Sequence, residues 1–173
     1  MKKNKGLSLI ELILTINLLM IIIGLLFSFL INNINYFNII YNRIEIKEQG
    51  EFAINYMTER LMTLTEITDI TDKYNYTLNH INRTNPVNIR KIIFSGINTY
   101  NDYETNYKFE LKTNNKLFDR TTEVACYITD IIVCPMPKEV SYKNAKGIKI
   151  ILKLNKGKEY REISKTIYFR NRR

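Results

Sequence analysis

Residues 1–31 read MKKNKGLSLIELILTINLLMIIIGLLFSFLI, and this stretch decides the fold because it places one carboxylate near the start of a long apolar run. The run from Leu7 to Ile31 is nearly unbroken. At about 1.5 Å of rise per helical residue, it is long enough to cross a hydrocarbon core of about 30 Å. Lysines precede it, so the positive-inside rule predicts a cytoplasmic N-terminus and an external C-terminal part. Glu11 is the unexpected residue, since a lone glutamate within a span costs several kcal/mol unless it is paired.

The composition limits the classes of function. The chain has 173 residues, enough for one domain and an anchor, and its net charge of +9 allows partners such as nucleic acid, anionic lipid or an acidic wall polymer. One histidine and two cysteines are too few for a zinc site made from these residue types alone. The sequence also lacks a CxxC pair, a phosphate-binding loop and a catalytic constellation. We therefore expect no enzyme activity and no cofactor.

The apolar run has two ordinary interpretations. A cleaved secretory signal would have a shorter apolar region followed by a small-residue cleavage site, whereas this run ends LLFSFLINNINYF. A single-pass anchor that tethers an external binding or sensing domain remains an alternative. Glu11 lies near the inner end of the span, where snorkelling would reduce the cost of its charge.

The residues around Glu11 form a more specific pattern. A lysine-rich leader, residues 1–6, ends in Gly6, an apolar Leu7 follows, and Glu11 stands four residues after that. This pattern resembles the processing signal of type IV pilins and type II secretion pseudopilins. The resemblance implies that a prepilin peptidase cleaves between Gly6 and Leu7 and methylates the new amine of Leu7. Leucine stands here where the family usually has phenylalanine.

The chemistry of the cleaved N-terminus gives Glu11 a partner. Cleavage before Leu7 creates an amine that is positively charged at neutral pH. Glu11 of an adjacent subunit can pair with that amine in a low-dielectric environment, and leaving either group unpaired there is costly, so the pair favours one axial register. The resemblance implies a membrane protein that later enters an extracellular filament. Its implied partners are membrane lipid, major and minor pilins, the prepilin peptidase and the platform protein of the assembly machine.

The helical pattern continues beyond the apolar run, through residues 32–68. We predict one helix from about Leu7 to Ile67, with filament core in its first half and an amphipathic second half. Gly50 lies within it, weakens it locally and permits a bend. Apolar residues recur at spacings of three and four on both sides of Gly50, and we assign those after it to the core of a globular head. The two stripes are Ile34, Phe37, Tyr41 and Ile44, then Ile54, Met57, Leu61 and Leu64.

Residues 69–173 are predicted to form the head. Residues 71–90 look like a loop, and short alternating runs then indicate five or six mostly antiparallel strands with one face available to cover a helix. This is an α+β architecture, and it is also the pilin fold that the resemblance implies. The strand segments are KIIF from Lys91, YKFELK at 107–112, Leu117–Phe118, YITDIIVC at 127–134, GIKIILKL at 147–154 and EISKTIYF at 162–169.

Two further patterns resemble a narrower group. The helical segment EFAINYMTERLMTLTEIT and the ending IYFRN with two arginines are similar to the larger minor subunits, the W/J class of minor pilins and pseudopilins. In that class a helix leads into a sheet whose last strand ends in a similar Arg-Asn. The resemblance implies a subunit that starts filament assembly or lies at the filament tip.

An alternative within the same family is a competence-type pseudopilin that aids DNA uptake. A basic tail and several tyrosines could contact DNA through phosphate pairing and base stacking, but we favour the simpler interpretation of a solvated chain end and strand or loop tyrosines. The residues concerned are Arg170, Arg172, Arg173, Tyr100, Tyr103 and Tyr107.

Cys126 and Cys134 are candidates for a disulfide bond outside the membrane. They bracket a predicted strand, and an extended strand of that length would hold them about 26 Å apart, too far to bond. A bridge therefore needs a bend near Thr129 and Asp130. The alternative is two buried thiols.

Overall fold

The computed structural model of this chain describes residues 8–74, 82–97 and 104–170. The chain divides into two units, Met1–Tyr41 and Asn42–Arg173. One long helix, α1, begins in the first unit, and in the second unit it packs on an antiparallel sheet, which confirms the α+β class. The elements are α1 (Leu9–Met62), β1 (Leu64–Asp72), β2 (Val87–Ile97), β3 (Glu104–Leu111), β4 (Leu117–Asp119), β5 (Thr122–Ala125), β6 (Ile128–Met136), β7 (Gly147–Lys156) and β8 (Glu159–Tyr168).

In the first unit, every described residue of α1 is exposed, including its large apolar side chains. Two polar side chains within this surface bond to carbonyl groups of the helix itself: Thr15 Oγ1 donates to the carbonyl of Leu12 (2.8 Å) and Asn33 Nδ2 to that of Phe29 (2.9 Å). These bonds lower the cost of placing the polar groups in lipid. Among the described residues, α1 is the one helix long and apolar enough to cross a membrane.

In the second unit, α1 presents a buried stripe to the sheet. Three residues of the second predicted stripe, Ile54, Met57 and Leu61, lie on it. The fourth, Leu64, is also buried but is the first residue of β1, so the assignment of this stripe to the core of the head is confirmed, although its last residue is not helical. Hydrogen bonds beside the stripe fix the helix on the sheet, from Arg43 Nε to Glu159 Oε2 (2.8 Å) and from Lys165 Nζ to Asn55 Oδ1 (2.9 Å). The buried residues of α1 are Ile46, Gly50, Ala53, Ile54, Met57, Thr58 and Leu61.

The end of α1 corrects the sequence prediction, which carried the helix to about Ile67. Thr63 turns the chain, because its N–H (3.2 Å) and its hydroxyl (2.7 Å) both donate to the carbonyl of Arg60. The next residues form β1, where β-branched side chains fit a pleated sheet better than a helix. The predicted loop at 71–90 is also partly wrong, since it includes the end of β1 and the start of β2, while residues 75–81 lie outside the described parts.

The sheet contains eight strands among the described residues, in the order β5-β4-β3-β2-β6-β7-β8, and β1 pairs with β2. Strand β2 changes partner along its length: residues 91–97 pair with β3 and residues 87–89 pair with β6. Buried and less buried side chains alternate along β7, as the sequence predicted. The four inward residues of β7 are each fully buried, namely Ile148, Ile150, Leu152 and Leu154.

Two predicted turns are confirmed. Lys112 N–H bonds the carbonyl of Lys116 (3.0 Å) where β3 turns into β4, and Gly157 has a φ of 62° where β7 turns into β8. The sequence analysis missed β5, which follows β4 through a tight turn with Arg120 at a φ of 55°. A turn of this kind normally carries glycine or asparagine, so an arginine gave no turn signal.

We expect two buried glycines to respond differently to alanine. A Cβ on Gly147 would lie 2.3 Å from the backbone oxygen of Ile167, whereas a Cβ on Gly50 would meet the flexible side-chain ends of Ile163 (2.5 Å) and Leu154 (2.9 Å). Gly147→Ala should therefore lower the free energy of unfolding by about 1–3 kcal/mol through overpacking. Gly50→Ala should change it by less than about 1 kcal/mol, because alanine gains helix propensity.

Denaturant unfolding of the full chain in detergent micelles, followed by circular dichroism, measures both variants. Equal losses at the two positions, or a larger loss at Gly50, would contradict the packing described for α1.

Acid should weaken a contact between β6 and its neighbours. Asp130 accepts hydrogen bonds from Lys73 Nζ and from Asn88 Nδ2 (2.7 Å). Burial alone would raise the pKa of Asp130, but these bonds outweigh it and lower the pKa from its ordinary value of 3.8. A carboxyl group with a lowered folded-state pKa stabilises the fold above its unfolded pKa, and this contribution disappears as pH falls through the folded value.

Asp130→Asn should therefore be less stable than the wild type at neutral pH, and the difference should shrink below about pH 4. Thermal unfolding of both proteins across this pH range tests the prediction. A stability difference that does not depend on pH would contradict it.

Candidate functional site

The N-terminus of α1 holds Glu11 in a defined geometry. The backbone N–H of Ser8 donates to Glu11 Oε2 (2.9 Å), and the backbone N–H of Glu11 donates to Ser8 Oγ (3.3 Å). This reciprocal pair is a capping box, which satisfies two N–H groups that the first helical turn leaves without partners. The sequence analysis missed this role, although the signal, serine followed three residues later by glutamate, is present at Ser8–Glu11.

The capping box gives Glu11 a local role in addition to the predicted intermolecular one. A carboxylate in the first turn also lies at the positive end of the helix dipole. The two roles are compatible, because a carboxylate has about four acceptor positions and the capping bond uses one of them. The geometry therefore leaves Glu11 able to accept a further donor, such as the amine of a neighbouring chain.

Gly6 and Leu7, the residues of the predicted cleavage site, lie outside the described parts of the chain. Cleavage between them, and methylation of Leu7, therefore stay predictions. The structure shows only the start of the helix that follows, with Ser8 at its cap and Leu9 as its first residue.

The surface of α1 in the first unit is a large apolar area. Monomeric soluble proteins rarely expose continuous apolar patches beyond a few hundred Å². This surface therefore calls for lipid or for other helices around it. A hollow of about 340 Å³ is lined there by four residues at helical spacing, Ile23, Leu26, Phe27 and Leu30. Such a four-residue hole is the shape into which a side chain of a neighbouring helix packs.

The two cysteines are not brought together. Both are free and half-buried: Cys126 lies just before strand β6, and Cys134 lies within it. Burial is the main cause that raises the pKa of each thiol, and at Cys126 the carboxylate of Glu123 raises it further. Raised pKa values leave little thiolate at neutral pH, so neither residue has the character of a reactive nucleophile.

The residues named for the alternative of DNA contact are only partly described. Tyr100, Tyr103, Arg172 and Arg173 lie outside the described residues, and the N–H of Arg170 bonds the carbonyl of Met62 (3.0 Å).

Tyr107 is placed where it cannot stack on a base. It is buried, with its ring 5.3 Å from that of Phe94 in a stacked arrangement. Tyr107 therefore does not support the DNA-contact alternative, and it is a strand tyrosine whose ring belongs to the core of the head.

No protein-family profile, no curated protein and no solved structure matches this chain. The function must therefore be inferred from its own residues and geometry. In residues 8–74, 82–97 and 104–170, no group of three or more histidine, cysteine or acidic side chains is placed to hold a metal ion.

Proposed function

We propose that this chain is a subunit of a type IV pilus or a type II secretion-like filament, in the class of minor pilins and pseudopilins. One observation carries the proposal: a lysine-rich leader ending in Gly6 is followed at once by an apolar helix with Glu11 in its first turn. A plain anchor needs the apolar residues alone. A filament subunit needs the cleavable leader and the carboxylate as well.

The described structure supports this proposal in two ways. Helix α1 is unbroken from Leu9 to Met62, so one element serves as an apolar segment and as the support of a head. The apolar surface of its first unit is uncovered within one chain, as is expected of a segment that passes from lipid into a bundle of like helices.

The mechanism is packing and not catalysis. After cleavage, the Leu7 amine of one subunit faces Glu11 of the next. Burying either charge without its partner is costly, so the pair favours the one axial register in which the two groups meet. Partners are other major and minor pilins, the prepilin peptidase and the platform protein. We place the chain at the start or the tip of a filament, as a W/J-class subunit, because bulky isoleucines and leucines fill the segment where major pilins often have small residues.

Three variants separate the pairing role of Glu11 from its capping role. Glu11→Gln removes the charge but keeps a residue that suits the capping box. Glu11→Ala removes both roles, and Ser8→Ala weakens the cap by about 1 kcal/mol while keeping the charge. We expect Glu11→Gln and Glu11→Ala to reduce incorporation by about tenfold or more, since an unpaired buried charge costs several kcal/mol. Ser8→Ala should assemble nearly as the wild type does.

The measurement is the fraction of the chain recovered in sheared filaments relative to the membrane, in cells with equal total amounts of each variant. The number of filaments is counted in parallel, because loss of an initiating subunit should reduce it. Normal assembly of Glu11→Gln, with failure of Ser8→Ala, would show that Glu11 acts as a cap and would contradict the pairing.

A further inference from the structure

A polar pocket lies on the head where the end of α1 meets the turn between β4 and β5. We call it the Arg60–Arg120 pocket, and its volume is about 350 Å³. It combines two guanidinium groups, three threonine hydroxyls and one carboxylate. The lining residues are Arg60, Thr105, Tyr107, Asp119, Arg120, Thr121 and Thr122.

Aromatic rings hold the two guanidinium groups in place. The guanidinium carbon of Arg60 lies 5.3 Å from the ring centre of Tyr56 and 5.5 Å from that of Tyr107, and the guanidinium carbon of Arg120 lies 5.4 Å from Tyr107. Arg120 Nη2 also donates to the carbonyl of Asn106 (2.7 Å). Within the described parts of the chain, neither arginine forms an ion pair with a carboxylate. Both guanidinium groups are thus positioned by rings and a backbone carbonyl, with Asp119 as the one carboxylate among the residues that line the pocket.

Two buried polar atoms at this pocket have no hydrogen-bond partner among the described residues. One is an acceptor, Asp119 Oδ1, on a side chain that is only 9% exposed, and the other is a donor, Arg60 Nε. The second oxygen, Asp119 Oδ2, accepts from the Tyr56 hydroxyl (2.9 Å). A buried polar group without a partner costs about 1–3 kcal/mol. Both atoms are closed to solvent, so a ligand in the pocket does not reach them, and the other guanidinium N–H groups and the threonine hydroxyls determine its binding.

The hydrogen bond that orients Asp119 persists at neutral pH. Burial is the main cause that raises the pKa of Tyr56; a hydrogen bond with Arg60 opposes this rise, and the contact with Asp119 adds to it. The Tyr56 hydroxyl therefore keeps its proton and continues to donate to Oδ2. This bond holds the side chain of Asp119 against α1.

These features define the chemistry of a ligand. We infer that the Arg60–Arg120 pocket binds an acidic sugar residue, one that carries a carboxylate next to hydroxyl groups. Guanidinium groups are suited to bidentate pairing with a carboxylate. The threonine hydroxyls can donate to or accept from the sugar hydroxyls. A simple carboxylate makes no use of the threonine hydroxyls, and a neutral sugar leaves both arginines without an anion.

The inference goes beyond filament assembly, because it assigns a ligand to the head. It is independent of Glu11 and of the leader, so an assembly defect and a binding defect can be measured separately.

Saturation-transfer NMR on the full chain in detergent micelles at low ionic strength tests the inference, with glucuronate as the probe. Glucose serves as the matched neutral sugar and acetate as the matched simple carboxylate. We expect glucuronate to bind saturably and about tenfold or more tightly than either control, because charge-assisted bonds and hydroxyl bonds act together. Absence of saturable binding, or equal binding of acetate or of glucose, would overturn the inference.

A pair of charge-matched variants locates the site. Arg120→Gln removes one guanidinium from the pocket, and Arg161→Gln makes the same change on β8, at the other end of the strand order. Arg120→Gln should weaken glucuronate binding about tenfold, since a hydrogen bond between charged groups is lost. Arg161→Gln should bind as the wild type does.

Equal weakening by both variants would show that net charge alone attracts the probe and would overturn the assignment of the pocket. Circular dichroism of each variant verifies the fold. If Arg120→Gln does not fold, the comparison of the three probes on the wild-type chain still decides the inference.

Discussion

The structure depends on the packing of α1 on the sheet through its buried stripe, from Ile46 to Leu61. Gly50 lies within this stripe at a close approach to β7 and β8, where an added Cβ would meet the flexible ends of Ile163 and Leu154. This stripe places the apolar side chains of the second half of the helix in the core of the same chain. The apolar surface of the first half has no such cover among the described residues, and this half is long and apolar enough to cross a membrane.

Much of this fold could be predicted from the sequence, because strong periodicity leaves few choices. The alternation in β7 and the stripe after Gly50 predicted buried faces that the structure confirms. The errors lie where local signals were weak. The helix ends at Met62 because Thr63 bonds back to Arg60, and no sequence pattern predicts this contact. Strand β5 was missed because Arg120 occupies a turn position where glycine or asparagine is usual. Strand order depends on long-range pairing, such as the change of partner along β2. The periodicity of apolar residues within each strand does not determine which strands pair.

The candidate sites were predictable to different degrees. Glu11 was identified from its cost in an apolar run, but its capping bonds with Ser8 were overlooked, so a local explanation now stands beside the intermolecular one. The Arg60–Arg120 pocket could not be found from the sequence at all, because residues far apart in the chain form it only after the β4–β5 turn meets the end of α1. Glu11 is conspicuous in the sequence because a charge in an apolar run is costly, whereas the pocket is visible only in the folded chain.

The most direct test of the filament proposal is the intact mass of the protein from cells with and without the prepilin peptidase. We expect the mature chain to lack residues 1–6 and to carry one added methyl group on Leu7, and we expect this change to require the peptidase. A full-length mass in both strains would contradict the proposal. The chain would then be a single-pass anchored domain, and the capping box would suffice to explain Glu11.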